Sequence, residues 1–332
     1  MNRVMHLAAL TVTFGALIPG ICGTITEDFS TDPHRRGWGL FGNAGLFQWD
    51  STNQQLRVTW DSAQTNSYFY LPLGTILSRS DDFALSFDLR FSDHAIGTNP
   101  AKPATFEAAI GLMNLTQAMQ TNFNRGAGTS STYGPKNIVE FDFFPAFSMG
   151  EELFSPTIAQ TIVSTNHLWL YNHDVPNQLD MTPGQWFHIT LDFRAETRTL
   201  TTTVTNNGTR YGPPQMIVVS TNFDFRLTAF SISSYSEQRS DGSLLAHGVV
   251  DNVVINIPPP PVQNLTGVFS NGLWVAQFIS RSNWIYSLKR SADFLWWTDA
   301  SPAQAGNGAE LKLFDINPPV PRAWYRVLAD KP

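Results

Sequence analysis

The sequence predicts an all-β protein, two packed antiparallel sheets with a small second β module behind them. Three observations lead there. Charged residues make up 14% of the 332 positions and aromatic residues 13%, with Thr, Ser, Asn and Gly plentiful, which is the composition of strands and turns. Period-2 alternation recurs along the chain, most strictly in Phe83-Ala84-Leu85-Ser86-Phe87-Asp88-Leu89-Arg90-Phe91, as a half-buried strand requires. No stretch carries a long amphipathic helical pattern.

Taken in order, the chain opens with a basic residue, Arg3, an apolar run from Leu7 to Ile18, and small residues at Gly20 and Gly23. The run is too short to span a bilayer and has the flanks of a secretory signal, so 1–23 is expected to be cleaved near Gly23, leaving a secreted or periplasmic protein. Cys22, the only cysteine, would leave with the signal, so no internal disulfide is expected. Ile21 stands where a lipoprotein signal has a small residue, which argues against a lipid anchor. Removing Arg3 from the 21 Lys and Arg leaves 20 against 27 Asp and Glu, a formal charge of −7. No basic cluster remains to follow a phosphate backbone, so neither nucleic acid nor membrane insertion is expected.

The first domain is expected over 24–257. Glu27-Asp28-Phe29-Ser30-Thr31-Asp32-Pro33 and Gly37-Trp38 read as an opening turn that packs a Trp. Strands follow at Leu56–Trp60, Tyr68–Leu71 and Phe83–Phe91, and the Ala-rich run Phe106–Met113 is read as a strand like its neighbours. The polar stretch Asn114–Pro135, with Arg125-Gly126-Ala127-Gly128 inside it, reads as a long surface loop. Asn137-Ile138-Val139-Glu140-Phe141-Asp142-Phe143-Phe144-Pro145 places Val139, Phe141 and Phe143 on one face and Glu140 and Asp142 on the other. Strand patterns continue from Thr157 to Ile257, with turn chemistry at Arg194–Arg198 and Asn206-Asn207-Gly208. Pro258–Pro261 cannot join a ladder and reads as a stiff linker. Residues 262–332 form the second module. It holds five of the ten tryptophans, and a module this small needs such side chains for a core.

On the opening turn, Asn66–Tyr70, Ser80–Arg90, Asn137–Asp142 and the Phe187–Thr205 hairpin, region 24–257 resembles the concanavalin A-like lectin/glucanase superfamily. More closely, it resembles a family of secreted bacterial jelly-roll proteins without an established activity. The resemblance implies a jelly-roll sandwich with one concave sheet. Trp284–Leu288, Ser291–Trp297 and Trp324–Val327 resemble a short C-terminal β-sandwich module of exported bacterial proteins, which implies an accessory role.

The candidate sites follow from these patterns. In laminarinase-like glucanases of the superfamily, a Glu nucleophile, an Asp and an acid/base Glu follow one another on a strand, because retaining hydrolysis needs two carboxylates about 5 Å apart on one face. Glu140 and Asp142 match the first two, but Phe143-Phe144-Pro145 stands where the third belongs, and Glu151 and Glu152 lie beyond it in a loop. In legume-type lectins a similar strand supplies metal ligands, which makes Glu140, Asp142 and Asp174 candidates for Ca²⁺. The plainest reading of Glu140 and Asp142 is a solvent-facing pair on a half-buried strand. Trp186 and His188 share the polar face of their strand, where Trp186 could stack on a sugar ring. His167 and His173 offer zinc two ligands and no third. Adjacent residues of a strand face opposite ways, so one of Trp296 and Trp297 is expected to be exposed, as at a binding surface. The favoured function is a non-catalytic binder of a glycan, polysaccharide or other extracellular surface. The rivals are a diverged glycoside hydrolase or lyase acting through Glu140, and a structural or adhesive surface component.

Overall fold

The computed structural model describes residues 23–125, 137–145, 147–149, 152–154, 156–166, 168–173, 179–319 and 322–332. Of the expected signal over 1–23, residues 1–22 lie outside them, and Gly23 opens the strand Gly23–Glu27. Among the described residues the strands of the first domain assemble into a nine-stranded and a seven-stranded antiparallel sheet, the two packed sheets that the alternation predicts and the jelly-roll sandwich that the resemblance implies. Phe83–Ile96 and Leu244–Ile257 form the middle of the larger sheet. In the smaller, Ala108–Met113 is central, with Ile138–Phe144 on one side and Leu227–Ser234 on the other.

Register explains why these strands pair as they do. Phe187, Ile189, Leu191 and Phe193 lie opposite Leu89, Phe87, Leu85 and Phe83, so one apolar row meets another and all eight are buried. A one-residue slip would turn each of them to the outside. Across the seam between the sheets, Phe141 meets Phe87 edge-on at 5.9 Å and Phe143 lies 5.1 Å from Phe91. Each such side chain removed from water contributes about 1.5–3 kcal/mol. Turn chemistry agrees with the pattern, since Asn207 and Gly208, at φ +48° and +74°, join Thr199–Asn206 to Thr209–Arg210. The opening turn is gathered by buried Glu27, which accepts hydrogen bonds from the backbone N–H of Phe29 and the indole N–H of Trp38, and Trp38 stacks on Phe69.

The stretch read as a surface loop departs from expectation. Asn114 caps a one-turn helix, Leu115–Ala118, and the chain then crosses the outer face of the seven-stranded sheet. Phe123 packs on Tyr68 and Tyr235 there, and Arg125 is fully buried.

The second module has its own core of Phe278, Trp284, Tyr286, Leu288 and Leu313. Pro258–Pro261 is less a free spacer than a pinned one. Arg281 donates to Asp81 of the first domain at 2.5 Å and to the Pro259 carbonyl at 3.1 Å, Tyr286 donates to the Pro261 carbonyl, and Lys331 pairs with the same Asp81. Among the described residues no helix is long and apolar enough to cross a membrane.

Candidate functional site

Ile138–Phe144 lies between Ala108–Met113 and Thr157–Val163. Its inner side is as predicted, with Val139, Phe141 and Phe143 in the seam. Its outer side is not. Glu140 and Asp142 are 2% and 0% exposed rather than solvent-facing, because Arg125 covers them. The guanidinium donates from Nε to Glu140 Oε1 and from Nη2 to Asp142 Oδ2 at 3.0 Å and Thr161 Oγ1 at 3.2 Å. Its Nη1 lies 3.7 Å from Glu107 Oε1. Tyr235 donates to the other oxygen of Glu140 at 2.8 Å and Thr161 to Asp142 at 2.5 Å. The rings of Trp169 and Tyr235 face the cation at 4.7 and 5.9 Å. Gly111 sits across from Glu140, and a Cβ there would stand 2.5 Å from the Glu140 Cα, so glycine makes room for the acid.

Three carboxylates therefore share one guanidinium in a closed site. Burial opposes the charge on Arg125, but Glu140, Asp142 and Glu107 outweigh it and hold its pKa well above the ordinary arginine value. For Asp142 burial wins: its pKa is pushed well above the carboxylate range, with Arg125 offsetting part of the rise and Glu140 and Glu107 adding to it. Burial and the Glu140 charge also raise Tyr235 and Tyr68. This is the pattern of a charge balance kept inside protein.

The arrangement does not suit the chemistry that the motif resemblance implies. Glycoside hydrolysis needs a carboxylate open to the sugar, and the oxygens of Glu140 are taken by Arg125 and Tyr235. Nor do these residues fit Ca²⁺, which wants six to eight oxygens. A guanidinium already stands between the two carboxylates at bonding distance. Asp174, the third suggested ligand, lies outside the described residues, as does His167. Asn172 turns its amide to the Met216 carbonyl.

His188 belongs to the other sheet, on its outer face, and Trp186 immediately precedes the same strand, Phe187–Arg194, with Phe187, Ile189, Leu191 and Phe193 turned inward as predicted. His188 Nδ1 is 2.7 Å from Asp88, and the Arg90 guanidinium lies over the Trp186 ring at 4.7 Å. Both Trp186 and Arg90 line an open groove of about 760 Å³. A cross-strand row floors it, with Gln48 opposite Arg57, Arg57 opposite Val249 and Val249 opposite Arg90. Trp186 is next in line because Phe187 pairs with Leu89. The carboxylates nearby are engaged, Asp50 by Arg57, Asp88 by His188 and Asn252, and Asp93 by His247.

Trp296 and Trp297 are not on a strand. They lie in the turn after Ile285–Ser291, where Asp293 accepts from the N–H groups of Leu295 and Trp296. Trp296 is 79% exposed, while Trp297 is half-buried beneath Arg326 at 4.2 Å, so the two do differ in exposure.

Sequence reasoning missed Arg125, Glu107 and Tyr235, which come together only in three dimensions. The one legible hint was a pair of acids with a glycine on the neighbouring strand.

No protein-family model and no curated protein matches the chain. Among solved structures, the seed lectin of Lotus tetragonolobus is 12% identical, with 71% of this chain and 98% of that chain covered at a TM-score of 0.45. Peanut lectin with a 9mer peptide is 18% identical, with coverages of 69% and 98% and a TM-score of 0.39. A legume lectin-like domain from Entamoeba histolytica is 10% identical, covered 70% and 95%, at 0.40. Likeness this loose assigns no residue a role. The class of protein is defined by the chain's own sheets: an all-β sandwich with one sealed outer face and one grooved one.

Proposed function

We propose that this is an exported, non-catalytic carbohydrate-binding protein that takes a polysaccharide in the groove on the outer face of the nine-stranded sheet. The row Gln48, Arg57, Val249, Arg90 and Trp186 within that open groove carries the reading. Sugar rings present paired hydroxyls to forked polar side chains and C–H faces to apolar ones, and this row holds both kinds. The non-catalytic half of the reading is supported by the closure of Glu140 beneath Arg125. Export rests on the Arg3, Leu7–Ile18 and Gly23 pattern.

The full chain is to be tested on a glycan array and by pull-down with insoluble polysaccharides, alongside a Gln48→Ala/Trp186→Ala variant. Binding by the parent chain that the variant loses is the expected result. A folded parent that retains no glycan, or a variant that binds as well as the parent, would sink the proposal.

A further inference from the structure

We infer that the groove selects an acidic polysaccharide, with the Arg90 guanidinium as the contact for its carboxylate or sulfate groups. The inference rests on the glycan reading above and narrows it. Two arginines, Arg57 and Arg90, line the groove with one acid, Asp251, and Asp50, Asp88 and Asp93 lie beside it, so what the groove offers an anion is the single guanidinium that these acids leave unpaired and not a net positive charge. The two arginines are not equivalent. Arg57 is paired with Asp50 at 2.5 Å, whereas Arg90 has no ion-pair partner among the described residues, its neighbours Asp88 and Asp93 being held by histidines.

An anion arriving at Arg90 therefore has no resident carboxylate to displace. The Trp186 ring, 4.7 Å from the guanidinium carbon, holds the cation without using its N–H groups, which stay available for a forked contact to a carboxylate or a sulfate at a lower ordering cost. Asp251 is the group that would oppose such a ligand. It accepts the backbone N–H of Asn252 at 2.7 Å, and burial shifts its carboxyl toward the neutral form, with Asp88 adding to the shift and the Asn252 bond opposing it.

The test is titration of the full chain with polygalacturonate, dextran sulfate and a neutral β-glucan at low and high salt, with variants Arg90→Gln, Arg90→Lys and, as a control outside the groove, Arg194→Gln. The expected result is preference for an acidic polymer, weakened about tenfold or more by Arg90→Gln, less by Arg90→Lys, and not by Arg194→Gln. The two acidic polymers separate carboxylate from sulfate recognition. Equal binding of the neutral glucan with no effect of Arg90→Gln overturns the anion inference and leaves the glycan reading standing. Loss that Arg194→Gln matches also overturns it, since the attraction is then diffuse charge. Retention of no polysaccharide, on an array or in titration, by a chain with an intact thermal transition overturns both.

Discussion

Arg125 and Arg90 each lie on the outer face of a sheet, and each holds its guanidinium over a tryptophan ring at 4.7 Å. They differ in what else surrounds them. Arg125 is met by Glu140, Asp142 and Glu107 and is fully buried. Arg90 has no ion pair among the described residues and lines an open groove. The same side chain on the same kind of platform is thus a structural counter-charge in one place and an available ligand in the other. The number of carboxylates turned toward it, and whether chain crosses above it, make the difference.

The largest effect that could break this contrast is on stability. Arg125→Met leaves buried acids uncompensated and should cost about 3–5 kcal/mol, whereas Arg90→Met should stay within about 0.5 kcal/mol. Urea unfolding of both variants measures the difference, and equal losses would erase the distinction. Adding Glu140→Gln and Asp142→Asn to Arg125→Met should recover a substantial part of the loss.

Next in size is the joint between the modules. Asp81→Ala removes the carboxylate that Arg281 and Lys331 share, leaving the Arg281 guanidinium only the Pro259 carbonyl as an acceptor among the described residues, and should cost about 1–3 kcal/mol. Small-angle scattering should show a larger radius of gyration as the second module comes away, and an unchanged radius would mean that the prolines alone hold it.

A smaller effect sharpens the account of the sealed face. The pKa of Asp142 is raised on folding, chiefly by burial, so between the ordinary carboxylate value and the raised one the native state binds more protons than the unfolded chain. Stability therefore falls as pH rises through that window. Asp142→Asn should flatten the slope of thermal midpoint against pH from the acid side toward neutrality, and a slope unchanged by the substitution would place the titration elsewhere. Smallest of all, Trp296→Ala removes a side chain that is 79% exposed and should shift stability by less than about 0.5 kcal/mol. A larger loss in the same urea assay would mean that the turn's tip is packed in solution.

Most strands were legible because burial imposes a period on the sequence. Thr157–Val163 opens the series of strands expected from Thr157 onward, and the Phe83 strand runs five residues beyond the end of its alternation at Phe91, to Ile96. Short strands such as Gly39–Phe41 and Thr298–Asp299 offer too few residues for a period to show. The second module's edge strand Val262–Ser270 is largely exposed, so its side chains carry no burial pattern either. The candidate sites were half legible. Trp186 and His188 were placed on the right face because alternation decides facing, while Glu140 and Asp142 were assigned to solvent by a rule that knows nothing of a loop crossing above them.

By itself the sequence determined the sandwich and which side of its longer strands turns inward, because apolar burial is written in local periodicity. Whether an outward-facing acid meets water or an arginine depends on a residue 15 or 17 positions away in a polar loop. No local pattern encodes that meeting, and only the tertiary structure decided that Glu140 and Asp142 are sealed and Arg90 is open.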